Sequence, residues 1–184
     1  LYEIGDLDDF FWPYTTWYAF PENGSLRQIL LLYSGSDLPV LLGTADREME
    51  DLLAALRLVR RLLPGRFYAH LTPGGEQAFS DAWKVESHGR HHKMALTAPQ
   101  ALSEIDASRV SHLTASDLPA LQDLYQSAYP GNWFDPRMLE TGCYYGVCQG
   151  ERILSVAGVH VFSPRYRVAA IGNITTHPDF RGQG

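Results

Sequence analysis

Three strand-like runs near the end of the chain constrain its fold most strongly. They cover Cys143 to Gln149, Ile153 to Phe162 and Arg167 to Thr176, and two short segments rich in turn-forming residues, Gly150-Glu151 and Ser163-Pro164-Arg165, join them. In the middle run both alternating sets of side chains are largely apolar, which favours a strand buried on both faces. We therefore predict a three-stranded antiparallel meander with helices on both sides.

The residues before the meander are expected to form a strand and two helices. A short strand is predicted at Arg109 to Leu113, and Ser116 or Asp117 is predicted to cap the helix that follows. The apolar stripe of this helix consists of Leu118, Leu121, Leu124, Tyr125 and Ala128. A second, short helix begins at Asp135-Pro136, and Thr141-Gly142 ends it.

The first half of the chain also mixes strands and helices. The apolar runs Gln28 to Tyr33 and Leu38 to Leu42 predict a β-hairpin, because turn-favouring residues separate them. A helix capped by Asp46 is expected to continue to Pro64-Gly65, and a strand is expected at Arg66 to Leu71. The pattern then predicts a short helix at Gly75 to Trp83 and a strand at Arg90 to Thr97.

A change in composition divides the chain into two regions. Residues Ala98 to Ala107 lose the apolar periodicity and mix Pro, Gln, Ser, Glu and Asp, which is typical of a linker. The domain boundary is therefore predicted near Ser108, between an N-terminal α+β region at 1–107 and a second region at 108–184.

Composition and charge exclude several classes of function. With 45% hydrophobic and 20% charged residues and without a long apolar run, the chain is not expected to cross a membrane. The net charge of −6 argues against a nucleic-acid partner. Only two cysteines are present, which favours a reducing, cytoplasmic setting. No metal site is expected, and the histidine cluster at 88, 91 and 92 is interpreted as an exposed strand.

The last residues form the most informative motif. A strand runs into His177-Pro178 and then into Arg181-Gly182-Gln183-Gly184. Glycines let backbone N–H groups converge on an anion, because they have no Cβ atom in the way. Taken alone, such a turn fits a simple surface loop as well as a phosphate site.

The order of elements from Arg109 to Gly184 resembles the N-terminal half of the GNAT superfamily of N-acetyltransferases. The resemblance comprises a strand, two helices, three antiparallel strands and a loop that starts with Arg or Gln and contains glycines. It implies an α/β (α+β) fold with a mixed, mostly antiparallel sheet flanked by helices. The last two places of the loop signature fall after Gly184, and the rest of the GNAT sheet is expected there too.

The resemblance also implies a ligand and an activity. Acetyl-CoA, or another acyl-CoA, would be the co-substrate, without a metal, and its acyl group would pass directly to a primary amine on a small molecule or a protein. The backbone of Ile174, Thr175 and Thr176 would pair with the pantetheine arm. Arg181 belongs to the phosphate loop, in which the N–H groups of Gly182, Gln183 and Gly184 would face the pyrophosphate.

Catalytic residues are harder to assign. A backbone N–H of Ile174 or Thr175 is expected to polarise the thioester carbonyl, but Ala169 and Ala170 stand where relatives often place a carboxylate base. The side-chain candidates for catalysis are Asn173, His177, His160 and Glu140. The candidates for the acceptor pocket are Trp133, Phe134, Tyr144 and Tyr145, with core packing as the alternative interpretation.

Two alternatives to an acyltransferase stay open. The missing carboxylate suggests a non-catalytic acyl-CoA-binding or regulatory module, and a protein-interaction domain without CoA is the third hypothesis. The first half loosely resembles a degenerate GNAT half with Thr44-Ala45-Asp46-Arg47 instead of a glycine loop, so a structural or acceptor-shaping role is expected for it. The aromatic residues between 10 and 20 are expected to pack over one half, or at a contact within a homo-oligomer.

Overall fold

The computed structural model describes residues 2–183, which divide into two compact units. The N-terminal unit holds residues 9–95, and the C-terminal unit holds residues 96–183 together with the first residues up to Asp8. The division thus falls earlier in the chain than the predicted boundary near Ser108. Each unit contains one four-stranded sheet, so the architecture is mixed α and β. Within the described residues, no helix is both long and apolar enough to cross a membrane.

The sheet of the N-terminal unit contains the predicted hairpin. Its strands are β1 (Thr15–Glu22), β2 (Ser25–Tyr33), β3 (Val40–Gly43) and β4 (Tyr68–Leu71), in that spatial order. Strands β1, β2 and β3 are antiparallel, whereas β4 lies parallel to β3. The hairpin of β2 and β3 and the strand β4 are therefore confirmed, with somewhat different ends.

Strand β1 was not anticipated from the sequence. It pairs with β2 through a tight turn at Asn23 and Gly24, whose φ angles are 50° and 78°. Asn-Gly is the dipeptide that best tolerates positive φ at both central turn positions, so it is a strong signal for a two-residue hairpin. The aromatic residues in this segment have no regular spacing, so the sequence pattern does not indicate a strand.

Helix α1 spans Met49–Val59 and crosses from β3 to β4. Its buried face includes Leu52 and Leu56, both fully buried, as the helical periodicity predicted. The predicted cap was wrong, because the helix begins after Glu48, well beyond Asp46, and no side chain caps it. The start is instead set by the turn in which Met49 N–H donates to the Arg47 carbonyl.

Two further predictions for the N-terminal unit fail. The expected helix at 75–83 is reduced to a 3-10 turn at Gly75–Ala78. The expected strand at 90–97 is absent, since residues 84–97 have no strand or helix and are all exposed. Strand-like residue types are insufficient there because the segment finds neither a partner strand nor a core to cover.

The C-terminal unit contains the predicted meander. Its strands are β5 (Val110–His112), β6 (Tyr145–Gln149), β7 (Arg152–Ser163) and β8 (Val168–Thr176), and neighbours in this order pair antiparallel. Strand β7 is buried along most of its length on both faces, although Ala157 is exposed. Among the described residues β8 is an edge strand.

Helix α2 (Leu118–Ala128) packs against β7 and β8. Leu121, Leu124 and Tyr125 form its buried stripe, as predicted. Asp117, one of the two predicted cap residues, is the N-cap residue of this helix, but its side chain makes no capping bond to it. Thr114 is the N-cap of a 3-10 turn that leads into the helix. Thr114 and Asp117 form a reciprocal capping box, with the Thr114 N–H donating to the Asp117 carboxylate at 2.7 Å. The second short helix is a 3-10 helix, Pro136–Thr141.

A 3-10 segment at Tyr2–Leu7 packs against β7 and β8 and buries an acidic side chain. Asp6 is only 3% exposed, and its Oδ2 atom has no hydrogen-bond partner among the described residues. Burial raises the pKa of Asp6 to about 7, and the charge of Glu3 adds to this effect. The folded protein therefore holds a proton on Asp6 at acidic pH values where the unfolded chain has already released it.

Replacing Asp6 by asparagine is expected to remove a pH dependence of stability. Because the pKa is raised from 3.8 to about 7, the wild-type protein loses stability as the pH rises between these values. Between pH 5 and pH 8 the loss should be on the order of 2–3 kcal/mol, and Asp6→Asn should lack it. Urea unfolding at pH 5 and pH 8 measures the difference, with the exposed Asp9→Asn as control. An equal pH dependence in Asp6→Asn and wild type would contradict the assignment.

Candidate functional site

A bulge interrupts the pairing of β7 and β8. Val156 lies opposite Thr175, and Gly158 lies opposite Gly172. Between these two pairs, β8 has two residues, Asn173 and Ile174, whereas β7 has only Ala157. Asn173 has a φ of 55°, a left-handed conformation that is uncommon outside glycine. The register pairs neither Asn173 nor Ile174 with a residue of β7, which is how a bulge releases backbone groups from a ladder.

Three buried side chains hold this bulge in place. Asn173 Nδ2 donates to the Tyr144 hydroxyl at 2.8 Å, and this hydroxyl donates to the Val159 carbonyl at 3.2 Å. The Tyr125 hydroxyl donates to the Asn173 carbonyl at 2.8 Å. The side chains of Asn173, Tyr125 and Tyr144 are all buried. The bulge is thus tied both to helix α2 and to the segment that leads into β6.

Both tyrosines stay protonated at neutral pH. Burial raises the pKa of Tyr144 to about 12, although the hydrogen bond from Asn173 opposes the rise. Burial, with a further effect from Tyr144, raises the pKa of Tyr125 well above its usual range. Each hydroxyl therefore remains a donor to its carbonyl, and neither is suited to give up its proton in catalysis.

Two glycines that pair across β7 and β8 make room for aromatic rings. Gly158 and Gly172 are direct partners, and side chains at such positions point to the same face of a sheet. The Tyr144 ring lies where a Cβ atom on Gly158 would be, and the His160 ring lies where a Cβ atom on Gly172 would be. The centroid of the His160 ring is 5.9 Å from that of Trp133.

His160 is a neutral, partly buried base in this cluster. Its Nδ1 atom is buried without a hydrogen-bond partner among the described residues. Burial also lowers the pKa of His160, because the imidazolium form would need solvation that the site does not provide. His160 is thus uncharged at neutral pH and lies next to the bulged strand.

The predicted acceptor-pocket residues separate into two groups. Phe134 packs between the bulge tyrosines, with its ring centroid 5.0 Å from that of Tyr125 and 5.7 Å from that of Tyr144. Trp133 lies against the His160 ring instead. Tyr145 lies elsewhere, half exposed on β6 with its ring centroid 5.4 Å from that of His112. Tyr144 is fully buried, so it supports the bulge rather than lining an open pocket.

His177 has a structural place in the turn after β8. It is the N-cap residue of a 3-10 turn at Pro178–Phe180, and its Nδ1 atom lies 3.3 Å from the Asp179 backbone nitrogen. Nη2 of Arg152 lies 2.7 Å from Nε2 of the same ring. Only 15% of the His177 side chain is exposed, so this residue is a fixed N-cap and not a solvated loop residue. Glu140, another candidate, is exposed in the 3-10 helix before β6.

The loop after β8 is tied back to helix α2. Nε of Arg181 donates to the Thr176 carbonyl and Nη2 donates to the Ala128 carbonyl, both at 3.1 Å. Gly182 has a φ of 72°, and the Gln183 side chain donates to the Asp179 carbonyl. Within the described part of the chain, no hydrogen bond engages the N–H groups of Gly182 and Gln183. Gly184, the last predicted pyrophosphate contact, lies outside the described residues.

The predicted pantetheine contacts lie along the edge of β8. Ile174 is 59% exposed at the bulge, whereas Thr175 is buried and Thr176 is partly buried. Beside the end of this strand is an open cleft of about 580 Å³ between α2 and the β6–β7 turn. Its polar lining includes Asp123, Arg152 and His177. An exposed strand edge, a cleft and a glycine turn therefore adjoin one another in the C-terminal unit.

Some residues of the site were missed in the sequence. The sequence pattern places Tyr125 only in the apolar stripe of α2, and it assigns no role to Gly158 and Gly172. A glycine inside a strand often marks a bulge or a close approach, so these two carried an available signal. No signal in the residues themselves joined Tyr125 to Asn173, because the contact spans 48 positions.

Comparison with known proteins adds no family assignment. No protein-family model matches the chain, and no curated protein matches its sequence significantly. The geometry of the bulge, the strand edge and the loop is therefore the basis for inferring a function.

Proposed function

We propose that the protein is an N-acyltransferase that moves an acetyl or related acyl group from acyl-CoA to a primary amine. The observation that carries the proposal is the bulge at Asn173 and Ile174 on an edge strand that leads directly into the Arg181-Gly182 turn. A strand edge offers main-chain groups to an extended ligand. A glycine turn with unengaged N–H groups offers donors to phosphate oxygens.

The strand order supports the same proposal. A GNAT fold resembles β5, α2, a short helix and the meander of β6, β7 and β8, followed by the phosphate loop, in this order. Under the proposal, the pantetheine arm lies along Ile174, Thr175 and Thr176, and the pyrophosphate lies against Gly182, Gln183 and Gly184. All of these contacts use the backbone, so side-chain identity matters little at these positions.

Acyl transfer requires a donor to the oxyanion, a proton acceptor for the amine and a proton donor for the thiolate. The amine nitrogen attacks the thioester carbonyl carbon, the C–S bond breaks, and the products are an amide and the CoA thiol. The Ile174 N–H, which lies in the bulge, is suited to stabilise the oxyanion that forms on the carbonyl oxygen. The proton that leaves the amine passes to neutral His160, which lies beside the bulged strand, and then to the thiolate. Burial disfavours the imidazolium form of His160, which favours the second transfer.

A non-catalytic acyl-CoA-binding module is the second candidate. It is favoured by the alanines at 169 and 170, where relatives often carry a carboxylate, and by the capping role of His177, whose Nδ1 accepts from the Asp179 N–H. The two functions share the CoA site and differ only in whether an amine is consumed.

Release of free thiol from acetyl-CoA in the presence of a panel of amines tests the proposal. We expect release that depends on both the protein and an amine, with an acylated amine as the second product. Thermal stabilisation by acetyl-CoA without amine-dependent thiol release would instead favour the binding module. Absence of any stabilisation at saturating CoA would contradict both functions.

Arg181→Ala is expected to weaken CoA binding. Its guanidinium holds the loop between the end of β8 and the end of α2, and its loss frees the donors of Gly182 and Gln183 to move. The dissociation constant for CoA should rise about tenfold, the equivalent of one or two hydrogen bonds. Calorimetric titration measures it, and the exposed Arg109→Ala is the control with the same change of charge. Equal affinities of Arg181→Ala and Arg109→Ala would contradict the role of the loop.

A further inference from the structure

The left-handed conformation of Asn173 needs an explanation beyond its residue type. Asparagine tolerates positive φ better than most residues, but a bulge in the middle of a strand has no turn that requires it. Asn173 is 4% exposed, and its backbone and its side chain are each bonded to a different tyrosine. Such conformations persist where the surrounding structure imposes them.

The two tyrosines control different parts of Asn173. Tyr125, on α2, donates to the main-chain carbonyl, which belongs to the same peptide unit as the Ile174 N–H. Tyr144, just before β6, accepts from the side-chain amide and passes a hydrogen bond to the Val159 carbonyl on β7. Because a peptide unit is planar, fixing the carbonyl of Asn173 also fixes the direction of the Ile174 N–H.

We propose that Tyr125, Tyr144 and Asn173 are positioning residues that aim the Ile174 N–H at the thioester carbonyl. The inference rests on the proposed acyl transfer, and it assigns to a buried hydrogen-bond chain a catalytic consequence in addition to its structural one. The three side chains do not touch the reacting atoms. They act through the peptide unit between Asn173 and Ile174. Its carbonyl points toward Tyr125, so its N–H points the opposite way.

This arrangement predicts a specific kinetic signature. An N–H that stabilises the oxyanion acts mainly in the transition state, so misdirecting it lowers kcat and leaves the affinity for CoA nearly unchanged. A general loss of packing would instead lower stability, affinity and kcat together. Tyr125→Phe removes the bond to the Asn173 carbonyl, and Asn173→Gly removes the bond from its side-chain amide while glycine retains access to positive φ. Tyr144→Phe removes the bond from the Asn173 amide together with the bond to the Val159 carbonyl.

The test measures kcat, the dissociation constant of CoA and the unfolding midpoint for these variants and for Tyr129→Phe. Tyr129 is half exposed at the end of α2, which makes it a matched control. We expect kcat to fall about 10- to 100-fold in each of the three variants, with the CoA dissociation constant within about twofold of wild type. Tyr129→Phe should behave as wild type.

A double variant sharpens the test. Tyr144→Phe and Asn173→Gly remove the same Nδ2–hydroxyl bond, so their combination should lower kcat little more than either alone. Tyr125→Phe breaks a separate hydrogen bond, so its effect on kcat should add to that of Tyr144→Phe and to that of Asn173→Gly. An unchanged kcat in the folded variants, or parallel losses of kcat, affinity and stability, would overturn the inference. Failure of the wild-type protein to release thiol with any amine would instead overturn the proposed function itself.

Discussion

Gly158→Ala is expected to destabilise the protein by about 3 kcal/mol or more. A Cβ atom at this position would lie 2.2 and 2.3 Å from two atoms of the Tyr144 ring, far inside contact distance. The ring is fully buried and bonded at its hydroxyl to Val159 and Asn173, so it has nowhere to move. The substitution must therefore shift either the β7 backbone or the ring and its hydrogen bonds.

Urea unfolding of Gly158→Ala measures this loss directly. Gly65→Ala is the matched control, because a Cβ atom there meets no atom within 4 Å. We expect Gly65→Ala to leave stability within about 0.5 kcal/mol of wild type. A similarly small change in Gly158→Ala would mean that the Tyr144 ring does not lie against β7.

Gly172→Ala is the second substitution with a large expected effect. Its Cβ atom would lie 2.0 Å from Cδ2 and 2.1 Å from Nε2 of His160. His160 is only partly buried, so its ring has more freedom to swing away than that of Tyr144. We expect a loss of about 1–3 kcal/mol in the free energy of unfolding, together with a displaced imidazole.

Removing the His160 ring should relieve this strain. In a double-mutant cycle, His160→Ala should cost little by itself, and Gly172→Ala should cost much less in its presence. The coupling energy is expected to be about 1 kcal/mol or more, because the two positions are in direct contact. Strictly additive effects would show that His160 does not cover Gly172.

Local patterns predicted the elements of the C-terminal unit well. The two-residue turn at Gly150 and the apolar runs on either side specify a hairpin, and the buried middle strand follows from its lack of a polar face. The short helical segment after Asp135 is likewise determined locally, because the Asp135 side chain caps it. In such elements the determining interactions lie within a few residues of one another.

The predictions failed where long-range contacts decide the outcome. The exposed residues at 90–97 have the composition of a strand, but no described strand pairs with them, so they form no strand. The α1 cap moved from Asp46 to Glu48 because the crossover from β3 sets where the helix can begin. A capping preference worth about 1 kcal/mol is too weak to override the packing of the helix.

The candidate site likewise combines a feature set by local sequence with features set by long-range contacts. The glycines after Arg181 predict a loop from local sequence, whereas the conformation of Asn173 depends on Tyr125 and Tyr144, which are remote in sequence. The sequence presents Asn173 only as a polar side-chain candidate for catalysis within a predicted strand. Its backbone conformation arises from the tertiary hydrogen bonds, and residue type alone does not specify them.

Backbone amide chemical shifts during a titration with acetyl-CoA test the central claim most directly. Binding along the edge of β8 and over the glycine turn should shift the amide signals of Ile174, Thr175, Thr176, Gly182 and Gln183 with one common affinity. The amides of α1 in the N-terminal unit should stay in place. Saturable shifts confined to other residues, or no shifts at millimolar acetyl-CoA, would contradict the assignment of an acyl-CoA site to this strand and loop.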